Sequence, residues 1–346
     1  MRDSGTRRGR VVFVRHGESI WNCIPVRFTG WANVPLSDKG RVQAREVGNT
    51  LQMFGIRPDV VYTSLLRRSK ESLDEIVKAN EHHYNQIEII NSWRLNERHY
   101  GSLVGLSKDE AGREMGEEKV MRWRKSWDEA PPPMLKEDLY AYSEAPWTQP
   151  VTIVHSPGNK GTTTTHLEEG LSMPRAESLR DCCQRVLPLW REAIYPRILT
   201  GETILVVAHA NSIRAVVKHV DADSISDDCV RAINIPSAIP LVYDFASTPH
   251  KGVMPTGKPN KYGMRGRYIA SKALIVSLRQ NLKNDHENDE SLLASLDDSV
   301  TSALMTDPRA SGGKQALMIG GAGAGVLREH YASTALSTPQ HRLGKE

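Results

Sequence analysis

The chain is short of the residues from which several protein classes are built. It has four cysteines in 346 residues, Cys23, Cys182, Cys183 and Cys229, none in a C-x-x-C pair and two of them adjacent. That spacing argues against a zinc site or a disulfide framework and for a reducing compartment. No apolar run approaches the ~20 residues that span a bilayer, so no membrane segment is expected. The first ten residues carry Arg2, Arg7, Arg8 and Arg10 without the hydrophobic stretch of a secretory signal. They read as a basic N-terminal extension, and a cytoplasmic location is expected. Charge is nearly balanced, 45 Lys and Arg against 41 Asp and Glu. A net charge of +4 is too small to point to nucleic acid. Cations clustered in short motifs suit an anionic small molecule better than a polyanion.

What is present is an alternation of strands and helices. Val11-Val12-Phe13-Val14 is a β-branched and aromatic run, predicted as a buried strand ending at Arg15. From Ser37 or Asp38, Val42, Val47, Leu51 and Phe54 recur at helical spacing until Gly55 stops the helix. Val60-Val61-Tyr62 predicts a second strand, residues 65–79 a helix and 87–90 a third strand, with helical segments across 107–126. Residues 131–174, with Pro131-Pro132-Pro133 and Thr162 to Thr165, read as a long loop. Residues 177–199 read as a long helix interrupted or bent at Pro188. Thr203 to Ala208 is the clearest buried strand; it stops at His209, and Asn211 opens a helix through Lys218. Pro240-Leu241-Val242-Tyr243 adds another strand. This order predicts an α/β fold, a three-layer α/β/α sandwich with a mostly parallel central sheet. One domain is expected over residues 11–283, with an insertion at about 131–174. A disordered extension follows over 284–346, acidic and then Gly/Ala-rich. The glycine spacing near residue 320 is wrong for a nucleotide-binding turn.

In open sheets of this kind, ligands sit beyond the carboxyl ends of the strands. Two histidines, His16 and His209, stand just past strand ends. A histidine in that position, flanked by Arg15 and Gly17, suits in-line attack of an imidazole on a phosphoryl group. Arg15 can present a planar fork to phosphate oxygens, and Gly17 lets the backbone come close. Arg-His-Gly alone is equally an ordinary strand-to-loop turn. Extended as Arg15-His16-Gly17-Glu18-Ser19-x-Trp21-Asn22, it is far more specific.

From these residues onward the chain resembles the histidine phosphatase superfamily and, within it, the cofactor-dependent phosphoglycerate mutases. The likeness runs in order through Phe28-Thr29-Gly30-Trp31, Leu36-Ser37-x-x-Gly40 and Tyr62-Thr63-Ser64-x-Leu66-x-Arg68. It continues through Trp93-Arg94-Leu95-Asn96-Glu97-Arg98-His99-Tyr100-Gly101, Gly105-Leu106-Ser107-Lys108 and Trp123-Arg124-Lys125. Glu177-Ser178-Leu179, His209-Ala210-Asn211-Ser212-x-Arg214 and Asn234-Ile235-Pro236 follow. It covers about residues 11–245, with a weak continuation at Arg267-Tyr268.

The resemblance implies interconversion of 2-phosphoglycerate and 3-phosphoglycerate, a step of glycolysis and gluconeogenesis. The route is a phosphohistidine primed by 2,3-bisphosphoglycerate. It implies His16 as nucleophile, Arg15, Arg68 and His209 around the transferring group, and Glu97 as general acid and base. It places substrate against Gly17, Glu18, Ser19, Asn22, Thr29, Gly30, Arg98, His99, Tyr100, Lys108, Arg124, Lys125, Ala210 and Asn211. Small-molecule phosphoglycerates are the partners implied, with a homodimer or homotetramer common in the family. No metal is implied, because no Asp/His cluster has ligand spacing and arginines take the place of Mg²⁺.

The chemistry agrees with that assignment. A phosphoryl group in flight spreads charge over three oxygens, which fixed cations and N–H donors stabilise. A sugar-acid hydroxyl needs a carboxylate to lose its proton at pH 7. Within the resemblance the Glu97-to-Tyr100 and Trp123-to-Lys125 blocks are mutase features, and they suit a ligand with a carboxylate as well as a phosphate. The alternatives are a histidine-type phosphatase, a bisphosphoglycerate synthase and a weakly active scaffold relative. Ala210 stands where the family usually has glycine, so its phosphate contact survives only if that turn lies in an allowed backbone region. Lys125 stands where a second arginine is common.

Overall fold

Val11, Val12, Phe13 and Val14 are all fully buried, as befits a strand covered on both faces. They form β1 (Arg10–Arg15) near the centre of one sheet. The structure is a computed structural model that describes residues 9–23, 25–85, 87–135, 174–248 and 252–276. It also describes the backbone of 163–166. The extension expected over 284–346 and most of the insertion lie outside the described residues.

The remaining strands are β2 (Val60–Thr63), β3 (Glu88–Ser92), β4 (Thr163–His166), β5 (Thr203–Ala208), β6 (Leu241–Thr248), β7 (Gly252–Pro255) and β8 (Arg267–Tyr268). Their order is β4-β3-β2-β5-β1-β6-β7, with β8 also paired to β6. Four pairings are parallel and three antiparallel, so the sheet is mixed rather than mostly parallel. The cause lies in the segment before β6. It climbs to the carboxyl end of β1, where Ser237 bridges Arg15 and the Ala238 N–H bonds the Arg15 carbonyl. From there β6 can only descend, and the β7 and β8 pairings follow from it. The threonine-rich part of the expected loop is strand β4, at the sheet edge. β-branched threonines favour extended backbone, and β3 offers them a free ladder.

Helices flank the sheet and complete the α/β/α sandwich. α1 (Asp38–Met53) begins at Ser37, whose Oγ accepts the Gly40 N–H at 3.0 Å. It buries Ala44, Val47 and Leu51, but Val42 is 66% exposed and lies off the apolar stripe assigned to it. α1 packs on α2 (Arg67–Lys78), followed by the short α3 (Glu81–Tyr84). α4 (Lys108–Met115) and α5 (Glu117–Lys125) form a small separate layer around Phe28 and Leu103. α6 (Leu179–Leu189) contains Pro188, which has no N–H to donate. The helix widens into a π turn at Trp190–Ile194 before α7 (Tyr195–Leu199), so the expected interruption is a local change of pitch. α8 (Ala210–Val220) leaves the end of β5 and packs on α6.

Candidate active site

Parallel register brings three strand ends to one level. Arg15 lies beside Ala208, and Thr63 beside Val207. His16, Ser64 and His209 therefore leave the sheet side by side, and the two imidazole centroids are 5.0 Å apart. Both rings are buried. His16 Nδ1 lies 2.7 Å from the Gly17 carbonyl oxygen. That oxygen can only accept, so Nδ1 carries the proton and Nε2 keeps a lone pair. Arg68 Nε donates to Nε2 at 3.2 Å. Burial, then repulsion by Arg68 and Arg15, holds His16 well below the usual histidine range. A neutral imidazole with Nε2 as its basic atom is a nucleophile at pH 7.

Arg68 is held by the turn before it in sequence. Its Nη1 donates to the Ala32 carbonyl at 2.9 Å and its Nη2 to the Gly30 carbonyl at 2.8 Å. Gly30 has φ +49°, and a Cβ there would meet Val104 Cγ2 at 3.0 Å. The turn that orients Arg68 thus requires glycine. Burial, opposed by Glu97, brings the Arg68 guanidinium down to about 10. His209 is also held well below its ordinary range, by burial and then by Arg68, His16 and Arg15. Ala210 opens α8 without strain, since Ala238 is the one described non-glycine residue with positive φ.

Glu97 sits in an irregular segment that α6 holds in place. Arg185 Nη1 donates to the carbonyls of Trp93, Arg94 and Asn96 at 3.2, 2.8 and 3.2 Å, and its Nη2 to that of Glu97 at 3.1 Å. The same guanidinium pairs with both Glu177 oxygens at 2.6 and 2.8 Å. Glu177 Oε2 also accepts the His99 N–H at 2.9 Å. Every member of this buried pair is hydrogen-bonded, which is the condition under which burying charge is tolerable. The result is a fixed Glu97. Its Oε1 accepts the N–H groups of Arg98 at 2.8 Å and Asn211 at 3.1 Å. Asn211 lies in the first turn of α8, where the helix dipole favours a carboxylate.

Arg98 next to it is 1% exposed, yet its Nε and Nη2 have no partner among the described residues. Its guanidinium lies 4.6 Å from the Tyr100 ring centroid. The Tyr100 hydroxyl accepts from Asn211 Nδ2 at 3.0 Å, and Asn211 Oδ1 accepts from Arg214 Nη1 at 2.7 Å. A buried guanidinium with spare donors calls for an anion. The cluster thus combines a neutral imidazole, a fixed carboxylate and several buried cations.

Other expected residues make contacts within the fold. The Glu18 carboxylate accepts from Ser37 Oγ at 2.9 Å and pairs with Lys39 at 3.1 Å, so it clamps the loop to α1. The Gly17 N–H donates to Ser72 Oγ at 3.0 Å, and a Cβ there would strike the Gly40 carbonyl oxygen at 2.3 Å. Glycine is demanded there by the approach of α1. Ser19 donates to Asn22 Oδ1 through both N and Oγ, at 3.1 and 2.8 Å. Thr29 Oγ1 donates to the Arg27 carbonyl at 3.4 Å. His99 Nδ1 accepts the Gly101 N–H at 3.0 Å, and burial pushes its pKa down to about 4. The ring is a neutral brace for the loop. Lys108 and Lys125 are exposed and Arg124 is half-buried on the α4–α5 layer.

Ser64, Glu177, Arg185 and Arg214 were not among the expected site residues. Three of them lie inside the recognised blocks; Arg185 reads in sequence as an ordinary helix arginine.

Residues 11–144 match the family model of the histidine phosphatase superfamily (branch 1). A 2,3-bisphosphoglycerate-dependent phosphoglycerate mutase of Thermobifida fusca is 42% identical over 243 residues, 70% of this chain and 90% of the relative. A protein of the same name from Hamiltonella defensa is 43% identical over 239 residues, 69% of this chain and 87% of the relative. Among solved structures, mycobacterial hydrolase 1 shares the fold with a TM-score of 0.51 and 18% identity, covering 72% of this chain and 96% of that one.

Proposed function

Because the chain belongs to the histidine phosphatase superfamily, alongside 2,3-bisphosphoglycerate-dependent phosphoglycerate mutases, we propose that it interconverts 2-phosphoglycerate and 3-phosphoglycerate through a phosphohistidine at His16. The observation that carries this reading is the presence of two anion-seeking centres in one buried cluster. His16 with Arg68 and His209 suits a phosphate. Arg98, buried with two unpartnered donors beside Tyr100, suits a second anionic group such as a carboxylate.

In this reading His16 Nε2 attacks phosphorus in line, the N–P bond forms and the P–O bond breaks. The Glu97 carboxyl gives its proton to the leaving oxygen. In the return step a substrate hydroxyl oxygen attacks phosphorus, Glu97 takes the hydroxyl proton and Nε2 recovers its electron pair. Arg15, Arg68 and His209 meet the charge that builds on the equatorial oxygens. The spare donors of Arg98 fit a second phosphate or a carboxylate, so the same cluster suits 2,3-bisphosphoglycerate. That molecule supplies the phosphoryl group which first loads His16. Glycolysis in the cytoplasm is the setting that fits this activity. Among the described residues no helix is long and apolar enough to cross a membrane, and no group of three or more His, Cys, Asp or Glu is placed to hold a metal ion.

The test is to incubate the purified chain with 3-phosphoglycerate in EDTA, with and without 2,3-bisphosphoglycerate, while following 2-phosphoglycerate and free phosphate. Isomerisation stimulated by 2,3-bisphosphoglycerate and faster than phosphate release is expected. Phosphate release without isomerisation would replace the mutase by a phosphatase. Activity lost in EDTA and restored by Mn²⁺ would refute the metal-free chemistry.

A further inference from the structure

We propose that Ser64 is a positioning residue that fixes His209 in its Nδ1–H tautomer, leaving an N–H rather than a lone pair for the transferring phosphoryl group. This rests on the phosphoryl-transfer reading above. Ser64 follows β2 and is fully buried. Its Oγ accepts the Leu66 N–H at 3.2 Å and lies 2.7 Å from His209 Nε2. One proton must lie between Oγ and Nε2.

If Nε2 carried that proton, Ser64 Oγ would accept twice and its own proton would have no acceptor among the described residues. Leaving a buried hydroxyl proton unpaired forfeits a hydrogen bond that water would have supplied. If Ser64 donates instead, the hydroxyl both gives and takes one hydrogen bond, Nε2 accepts, and Nδ1 keeps the proton. Nδ1 makes no hydrogen bond among the described residues, although the Ser212 N–H in the first turn of α8 is turned toward the same side chain, and its ring lies beside the ring of the nucleophile. A buried, unpartnered N–H beside a phosphoryl acceptor is a preorganised donor for developing negative charge.

The opposite tautomer would turn a lone pair on the phosphoryl oxygens. Burial and the surrounding arginines disfavour the imidazolium, so the tautomer decides which of the two the phosphate meets. Leu66 is also the N-cap of α2, the helix that carries Arg68. One hydroxyl therefore ties the donor histidine to the helix of the phosphate-binding arginine.

Nitrogen-15 NMR of the histidine-labelled full chain reads the tautomer directly, with His209 identified by its loss in His209→Gln. A proton on Nδ1 is expected in the unsubstituted protein at neutral pH. Ser64→Ala should move His209 toward mixed tautomers and slow loading of His16 by about 10- to 100-fold, with substrate affinity little changed. That is less than the ~10²–10³ lost with a whole oxyanion donor, because the active tautomer stays accessible. Ser64→Cys, with a weaker donor, should fall between. A proton on Nε2 in the unsubstituted protein overturns the proposal whether or not the variants fold. Wild-type transfer in Ser64→Ala does so too. No phosphoryl adduct on His16 in any form would sink the phosphoryl-transfer reading instead, and the NMR spectrum would still decide the tautomer.

Discussion

Replacing Glu97 by glutamine separates proton transfer from everything else the side chain does. Glu97 Oε1 accepts two backbone N–H groups, from Arg98 and Asn211, at 2.8 and 3.1 Å. Both donors are fixed, so the introduced amide must turn its oxygen toward them and place its NH₂ where Oε2 stood. That group cannot take a hydroxyl proton at neutral pH. Loss of a positioned acid–base group costs about 10²–10⁴ in rate, or roughly 2.7–5.4 kcal/mol of barrier. Shape and both backbone bonds survive, weakened from charge-assisted to neutral, so stability should fall by only about 1 kcal/mol. Affinity should hold or tighten, because an anionic substrate no longer meets a carboxylate. The assay is rapid-quench, single-turnover transfer from labelled phosphoenzyme to 3-phosphoglycerate, with Kd measured separately by calorimetry. Near-wild-type transfer would remove Glu97 from the chemistry. A small rate loss with weakened binding would reduce it to an orienting partner of Arg98.

His16→Ala should abolish the acid-labile, base-stable phosphoryl adduct formed with 2,3-bisphosphoglycerate; labelling that persists would move the nucleophile elsewhere. Arg185→Ala leaves Glu177 buried and unpaired and frees four loop carbonyls. A loss of about 3–5 kcal/mol in chemical unfolding is expected, with only partial recovery in Arg185→Lys because the planar fork is missing. Unchanged stability would show that the Glu97 loop is held by other contacts. His16, His99 and His209 are held neutral by the fold, His99 down to about 4. The unfolded chain binds protons below about pH 6.5 that the folded chain refuses, so stability is full above that value and falls with pH. The slope is about 1.4 kcal/mol per pH unit for each histidine, ending near pH 4 for His99. Urea midpoints that do not move between about pH 7.5 and 5 would contradict these neutral imidazoles.

The strands at the sheet centre and the helix over α1 were legible in sequence because their signals are local. Four consecutive β-branched or aromatic residues mark β1, and a serine cap with a spaced apolar face marks α1. Val42 was misassigned because spacing alone does not give the angle at which a helix meets its neighbour. The mixed sheet and strand β4 were not legible, since pairing direction depends on where a connection returns and which edge is open. The bonds that tie Glu18 and Gly17 to α1 and His99 to the 97–101 loop were not legible either, since they depend on how the loops are brought together.

By itself the sequence determined which chemical groups this protein has and, through ordered motifs, the superfamily to which it belongs. Imidazole, guanidinium and carboxylate are properties of single side chains, and each motif is a short stretch of chain. Only the tertiary structure decided which nitrogen of His16 keeps its lone pair, which donors are spent and which remain for a ligand. Those outcomes depend on partners far apart in sequence: Ser64 reaches His209 across 145 positions and Glu97 meets Asn211 across 114. A hydrogen bond is settled by distance in space, and folding sets that distance.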